Sequence, residues 1–170
     1  MLRLFMILFA AAWLMSAPAS AAMDKEAFKA TQDRIETTYQ SDKARCASLK
    51  GNARNVCEAE ASAKRKTAKA EAKADYENTA KARTQAIVAR ADAEYSVAKQ
   101  KCHDLSGAAK VACVTKAKGA RVRAKADARS DQEVIRRRDA EYKTALERCD
   151  SMSGRAKDRC MKNARARFGE

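Results

Sequence analysis

The sequence predicts an all-α protein, an elongated array of long antiparallel helices that form hairpins and are stapled by disulfides at the turns. Two observations carry this prediction. Helix-forming residues dominate the 170 residues, which include only five glycines and one proline, and this composition does not suit a sandwich or a barrel. Six cysteines fall in three pairs of identical spacing. The chain is short and basic, with a formal net charge of +14, so we expect one extended region rather than several domains.

The first 22 residues differ from the rest and have the order of a secretory signal peptide. Arg3 precedes an apolar run, and a stretch of small residues follows it. The apolar run is short for a membrane span, so we expect cleavage after Ala21 or Ala22 and export to the periplasm; an uncleaved anchor is the alternative. The mature chain, 23–170, contains no proline and keeps all six cysteines.

Three copies of one pattern, C-x2-[LM]-x-G-x-A-[KR]-x2-C, recur along the mature chain. A tyrosine stands seven residues before the first cysteine of each copy. Matched positions in three copies mark an internal repeat. The copies run from Cys46 to Cys57, Cys102 to Cys113 and Cys149 to Cys160; they contain Gly51, Gly107 and Gly154, and they follow Tyr39, Tyr95 and Tyr142.

The glycine of each copy predicts where a helix stops. A glycine that follows an apolar Leu or Met is a common helix end, so we expect hairpin turns near 50–53, 106–109 and 153–156. The helices would then have about 26, 53, 45 and 15 residues, and the second would be about 80 Å long. Apolar residues before each turn recur at spacings of three, four or seven, as in heptad seams, and the seam between them is mostly alanine.

Geometry decides how the cysteines pair. In one straight helix, residues eleven apart lie about 16 Å apart along the axis, and their thiols could pair only between chains. If the chain reverses at each glycine, the two cysteines of a copy face each other across the turn. An even number of cysteines in an exported chain favours disulfides, each worth about 3 kcal/mol for a loop of this size. We therefore predict the pairs Cys46–Cys57, Cys102–Cys113 and Cys149–Cys160.

The inventory of reactive side chains argues against an enzyme. The only histidine, His103, lies in a predicted turn, where an exposed side chain is expected rather than a general base. No Ser/His/Asp set or glycine-rich phosphate loop is present. The cysteine spacing fits neither a C-x-x-C redox motif nor a zinc site. We expect no catalytic residue, metal or cofactor, and we expect the three tyrosines to pack in the seam.

Clusters of lysine and arginine are the remaining sequence feature that indicates binding of a ligand. A long cationic rod attracts polyanions through many weak, salt-sensitive contacts. Outside the cytoplasm the polyanions are lipid head groups, surface polysaccharide and wall polymer, and no physiological nucleic acid is expected. The alternative is that these charges only solvate helices otherwise coated with alanine. The candidate polyanion-binding residues are Lys64, Arg65, Lys66, Arg121, Arg123, Arg136, Arg137 and Arg138.

The alanine- and lysine-rich stretch 59–98, behind an export signal, resembles the long periplasmic helix of TolA-type cell-envelope proteins. The cysteine repeat is similar to that of small exported proteobacterial proteins that often carry such a label. The resemblance implies a long helix in the envelope and no particular activity. We expect neither a retained anchor nor a globular terminal domain before Glu170, and both are departures from the TolA pattern.

Three functional hypotheses of different classes follow. The first is a non-enzymatic periplasmic protein of the cell envelope, a structural or interaction scaffold that binds an envelope protein or an anionic envelope surface. The second is a cationic module whose function is to bind a polyanion or a membrane surface. A third, a thiol-redox enzyme, predicts cysteines that react quickly with alkylating reagents. The half-exposed alanine seam also offers a surface for a homo-oligomer.

Overall fold

A computed structural model describes residues 23–169, and the predicted signal segment, 1–22, lies outside the described residues. Apart from one 3-10 turn at Cys102–Asp104, every element of the described chain is an α-helix. The all-α class predicted from the sequence is therefore confirmed. In chain order the helices are α1 (Lys25–Cys46), α2 (Gly51–Glu77), α3 (Ala80–Lys101), α4 (Gly107–Asp150) and α5 (Gly154–Phe168).

Each helix packs antiparallel against the next one in the chain. Helix α2 contacts both α1 and α3, while α4 contacts α3 and α5. Phe28 near the start of α1 stacks on Tyr76 at the end of α2, with ring centroids 4.6 Å apart. Asn52 at the start of α2 donates a hydrogen bond to the carbonyl of Gln100 at the end of α3, at 2.9 Å. The predicted elongated array of antiparallel helices is confirmed.

The long segment between the first two cysteine pairs forms two helices, so the prediction of a single helix of about 80 Å was wrong. Helix α2 ends because Asn78 adopts the left-handed conformation (φ 46°, ψ 38°), which asparagine tolerates better than most residues. Thr79 then caps α3, and its Oγ1 accepts a hydrogen bond from the amide of Ala82 at 3.1 Å. The described chain reverses four times instead of three.

The repeat glycines begin helices rather than end them. Helix α1 ends at Cys46, and Gly51 is the first residue of α2 with φ +57°. Gly107 and Gly154 open α4 and α5 in the same way, with φ +51° and +53°. This region is costly for residues that carry a Cβ, which explains why glycine stands there. The turns were predicted near 50–53, 106–109 and 153–156. In the structure each turn lies directly before its glycine, and the part of each predicted range that follows the glycine is helical.

The core is a narrow seam of small side chains. Alanines make up most of the buried apolar residues between 23 and 169, together with three half-cystines and Phe168. Between α2 and α3 the buried cluster consists of Ala74, Ala82 and Ala86, with Ala70 packed against it. Because alanine buries little area, the fold depends on covalent and polar links between helices. None of the described helices combines the length and the apolarity that crossing a membrane requires.

Candidate functional site

Disulfides clamp three of the four reversals. In each pair the first cysteine is buried and the second is partly exposed, and the described residues include no free cysteine. The pairing predicted from the sequence is confirmed. The Cα–Cα distances, which lie in the usual disulfide range, are 5.6 Å for Cys46–Cys57, 5.8 Å for Cys102–Cys113 and 5.5 Å for Cys149–Cys160.

Behind the first disulfide, one tyrosine, one carboxylate and two cations join α1 to α2. The guanidinium of Arg65 lies over the ring of Tyr39, 4.7 Å from its centroid, and Arg65 Nε donates to Glu36 Oε2 at 2.9 Å. Lys69 Nζ lies 3.1 Å from the same oxygen. The hydrogen bond from Lys69, helped by the charge of Arg65, holds the pKa of Glu36 below its usual value against the opposing effect of desolvation. We call these four residues the first lock.

The same arrangement joins α3 to α4 behind the second disulfide. Arg121 lies over the ring of Tyr95, 5.2 Å from the centroid, and donates through Nε to Asp92. Lys125 Nζ lies 3.3 Å from Asp92 Oδ1. Burial alone would raise the pKa of Asp92, but hydrogen bonds from Arg121 and Lys125 outweigh it and lower the pKa. These four residues form the second lock.

The two locks occupy the same positions in the repeat. Their acid stands three residues before the tyrosine, their arginine eight residues after the second cysteine, and their lysine twelve residues after it. The acid, the arginine and the lysine lie outside the segment from the tyrosine to the second cysteine, so the repeat predicted from the sequence did not include them; an alignment of longer copies shows the pattern. The tyrosines were predicted to pack in the seam, whereas Tyr39 and Tyr95 are half-buried beneath arginines.

The third repeat departs from the lock. Phe168 stands where the other copies have arginine, and its ring lies 5.4 Å from that of Tyr142 at an angle of 44°. Phe168 is buried, while Asp139, which corresponds to Glu36 and Asp92, is exposed. An aromatic pair therefore closes the hairpin of α4 and α5 where a charged lock closes the other two.

The predicted polyanion-binding residues separate into two groups. Lys64 Nζ lies 3.5 Å from Asp42, and Arg65 and Arg121 belong to the locks, so these three residues join helices. The others are exposed, and of them Arg136 lies 3.4 Å from Glu133. The structure does not gather them on one helix: Lys66 is on α2, whereas Arg123, Arg136, Arg137 and Arg138 are on α4.

The remaining chemistry of the described chain is sparse. His103 is exposed in the 3-10 turn. Between residues 23 and 169, no group of three or more His, Cys, Asp or Glu side chains is arranged to hold a metal ion. Comparison with protein-family models, with curated proteins and with solved structures finds no match for the chain. The similarity to the TolA-type helix stays a prediction.

Proposed function

We propose that the chain is a non-enzymatic scaffold of the cell envelope, exported to the periplasm, that holds a rigid helical surface for an envelope protein. The observation that carries this proposal is that the same set of links between two helices recurs in three hairpins. Three hairpins each have a disulfide at the turn, and a lock or an aromatic pair stands at the same sequence distance behind it. These repeated links hold the helices of each hairpin together, and they require no reactive group.

The disulfides also support the proposed location. Structural disulfides form and persist in oxidising compartments such as the bacterial periplasm, and cytosolic proteins seldom keep them. The signal-like order of the first 22 residues agrees with this reasoning. A scaffold in that compartment benefits from covalent clamps because its alanine seam buries little apolar area.

The test follows the chain and its thiols in bacterial cells. Cells that produce the full-length chain are fractionated, and the native protein is alkylated with and without reductant before peptide mapping. We expect periplasmic protein whose six cysteines are labelled only after reduction, and the matched control that lacks residues 2–22 should stay in the cytoplasm. Cytoplasmic full-length chain with reactive thiols would contradict the proposal, and rapid labelling in the periplasm would favour the redox enzyme.

The exposed arginines of α4 support a second candidate, the binding of a polyanion or of an anionic membrane. Arg137 and Arg138 are exposed, and no carboxylate of the described chain lies within ion-pair distance of them. Binding to phosphatidylglycerol vesicles should weaken steeply with salt. The variant Arg137→Gln/Arg138→Gln should bind more weakly than Lys116→Gln/Lys118→Gln, which removes equal charge from exposed positions elsewhere on α4. Equal losses would show that only net charge matters.

A further inference from the structure

The reversal between α2 and α3 differs from the other three. The others are clamped by disulfides at their turns, whereas this one consists of Asn78 and Thr79 alone. Asn78 is the only residue other than glycine with a positive φ in the part of the chain that the structure describes. Its neighbours hold it by surface hydrogen bonds, including one from Arg83 Nη1 to Asn78 Oδ1 at 3.0 Å. This is the one reversal that can open without breaking a covalent bond.

The sequence on both sides of Asn78 favours a continuous helix. Neither glycine nor proline occurs between Gly51 and Gly107, and alanine, lysine and arginine dominate the flanks. If Asn78 and Thr79 became helical, α2 and α3 would join into one helix about 77 Å long. The αL conformation at Asn78 is therefore the local feature that keeps these two helices separate.

The contacts between α2 and α3 do not depend on the loop that connects them. They include the alanine cluster, the hydrogen bond from Asn52 to Gln100, the ion pair between Glu71 and Arg90 and the pair between Glu60 and Lys101 at 2.8 Å. Every one of these contacts joins a residue before Asn78 to a residue after it. A second copy of the chain can supply either side with the same geometry, as in domain swapping.

The contact residues are also compatible with one straight helix. Glu60, Glu71, Ala82 and Ala93 follow each other at intervals of eleven residues. Eleven residues make three turns of a slightly underwound helix, so these positions fall on one face of a joined helix. Ala82 and Ala93 are buried in the present packing. Two joined helices can therefore pair antiparallel and bury the same side chains.

We propose that this chain forms a dimer with a second copy by opening at Asn78 and Thr79. In the dimer, α2 of each copy packs against α3 of the other, while the disulfide-clamped hairpins on either side stay intact. The exchange is independent of the proposed envelope role, and it doubles the number of hairpins that one assembly presents. Its partner is another copy of this chain, and its interface is the one already present between α2 and α3.

The first experiment varies the hinge in the full chain with its disulfides formed. Asn78→Ala/Thr79→Ala removes the αL-tolerant residue and the cap, whereas Asn78→Gly keeps the αL conformation inexpensive. We expect the wild type to show a dimer whose fraction grows with concentration in light scattering after gel filtration. The alanine variant should dimerise about tenfold more tightly and Asn78→Gly more weakly than the wild type. A wild type that stays monomeric, or a dimer indifferent to both variants, overturns the proposal.

The second experiment asks which copy supplies each side of the interface. Unlabelled and ¹⁵N-labelled chains are unfolded in denaturant with their disulfides intact, mixed and refolded, and a carbodiimide then joins Glu60 to Lys101. In the isolated dimer the cross-linked peptides should include pairs with one labelled and one unlabelled member, and the monomer should contain none. A dimer in which every Glu60–Lys101 link lies within one chain is a side-by-side association and overturns the swap.

Discussion

Arg121 has two neighbours at once, the ring of Tyr95 and the carboxylate of Asp92. A cation over an exposed ring contributes about 0.5–1 kcal/mol, and an exposed ion pair contributes about 0.2–1 kcal/mol. Replacing Arg121 by methionine keeps most of the aliphatic stem and removes both interactions. We expect Arg121→Met to lower the free energy of unfolding by about 1 kcal/mol, measured by urea unfolding followed with circular dichroism.

Arg123 provides the matched control. It lies two residues away on the same helix and is exposed, and no carboxylate of the described chain pairs with it. The substitution Arg123→Met should therefore change the free energy of unfolding by no more than about 0.5 kcal/mol. Equal losses in the two variants would mean that positive charge on α4, and not the lock, determines the effect.

The lock carboxylates predict how stability depends on pH. The pKa values of Glu36 and Asp92 lie below their usual values of 4.5 and 3.8 in the folded chain. Each therefore stabilises the fold above those values, and its contribution is lost as the pH falls through the lowered folded pKa. We expect Glu36→Gln/Asp92→Asn to be less stable than the wild type at neutral pH, with the difference shrinking below about pH 4.5. Urea unfolding across this range measures it, and a difference that persists unchanged into acid would contradict the assignment.

At the scale of the helices, α4 was predictable and the pair α2 and α3 was not. Patterns of cysteine and glycine placed the ends of α4 within a few residues, and its 44 residues match the predicted length. The break at Asn78 was not predicted because neither glycine nor proline, the strongest helix breakers, occurs between Gly51 and Gly107. Asparagine tolerates αL and threonine caps helices, so Asn78-Thr79 carried a local signal. The helix propensity of the residues on both sides of Asn78-Thr79 favours a continuous helix more strongly than these two residues favour a break. The break therefore depends on the pairing of α2 with α3.

The two glycines of α4 predict effects of opposite sign. Gly107 opens the helix with φ +51°, and an added Cβ there would meet no neighbouring atom, so Gly107→Ala carries only the backbone cost of about 1 kcal/mol. Gly119 lies inside the helix, and its added Cβ would meet only the flexible end of Arg123, 3.3 Å away. Gly119→Ala should therefore stabilise by about 0.5–1 kcal/mol. Thermal and urea unfolding of the two variants compare them directly, and effects of the same sign would refute the backbone argument.

At the scale of the whole molecule, each helix contacts mainly its neighbours in the chain. Stability in such an array is the sum of local pairs, as in repeat proteins, so damage at one end does not reach the other. The locks and the disulfides are local in the same sense, since each of them joins two successive helices. The sequence alone shows which residues repeat. It does not show which helices pair with each other, because that depends on the reversal at Asn78, which only the structure shows.

The end hairpin tests this locality. Helix α5 has 15 residues, a length that is marginal for an isolated helix in water. It is held by the Cys149–Cys160 disulfide, by Phe168 against Tyr142 and by Lys157, whose Nζ lies 2.9 Å from Asp150. We expect Cys149→Ser/Cys160→Ser to speed amide hydrogen exchange in α5 and in the end of α4 that faces it, while exchange in α1, α2 and α3 stays unchanged in mass spectrometry.

The Cys102–Cys113 disulfide gives the matched comparison because it lies between two long helices that also share the second lock. Without the disulfide, the lock and the other packing contacts between the two helices still hold α3 against α4, so Cys102→Ser/Cys113→Ser should leave both helices protected in the native state. The lost loop constraint should nevertheless lower the free energy of unfolding by about 3 kcal/mol. If the Cys149→Ser/Cys160→Ser variant instead exchanges faster throughout α1–α4, the helices unfold as one cooperative unit, and the description of the chain as a sum of neighbouring pairs fails.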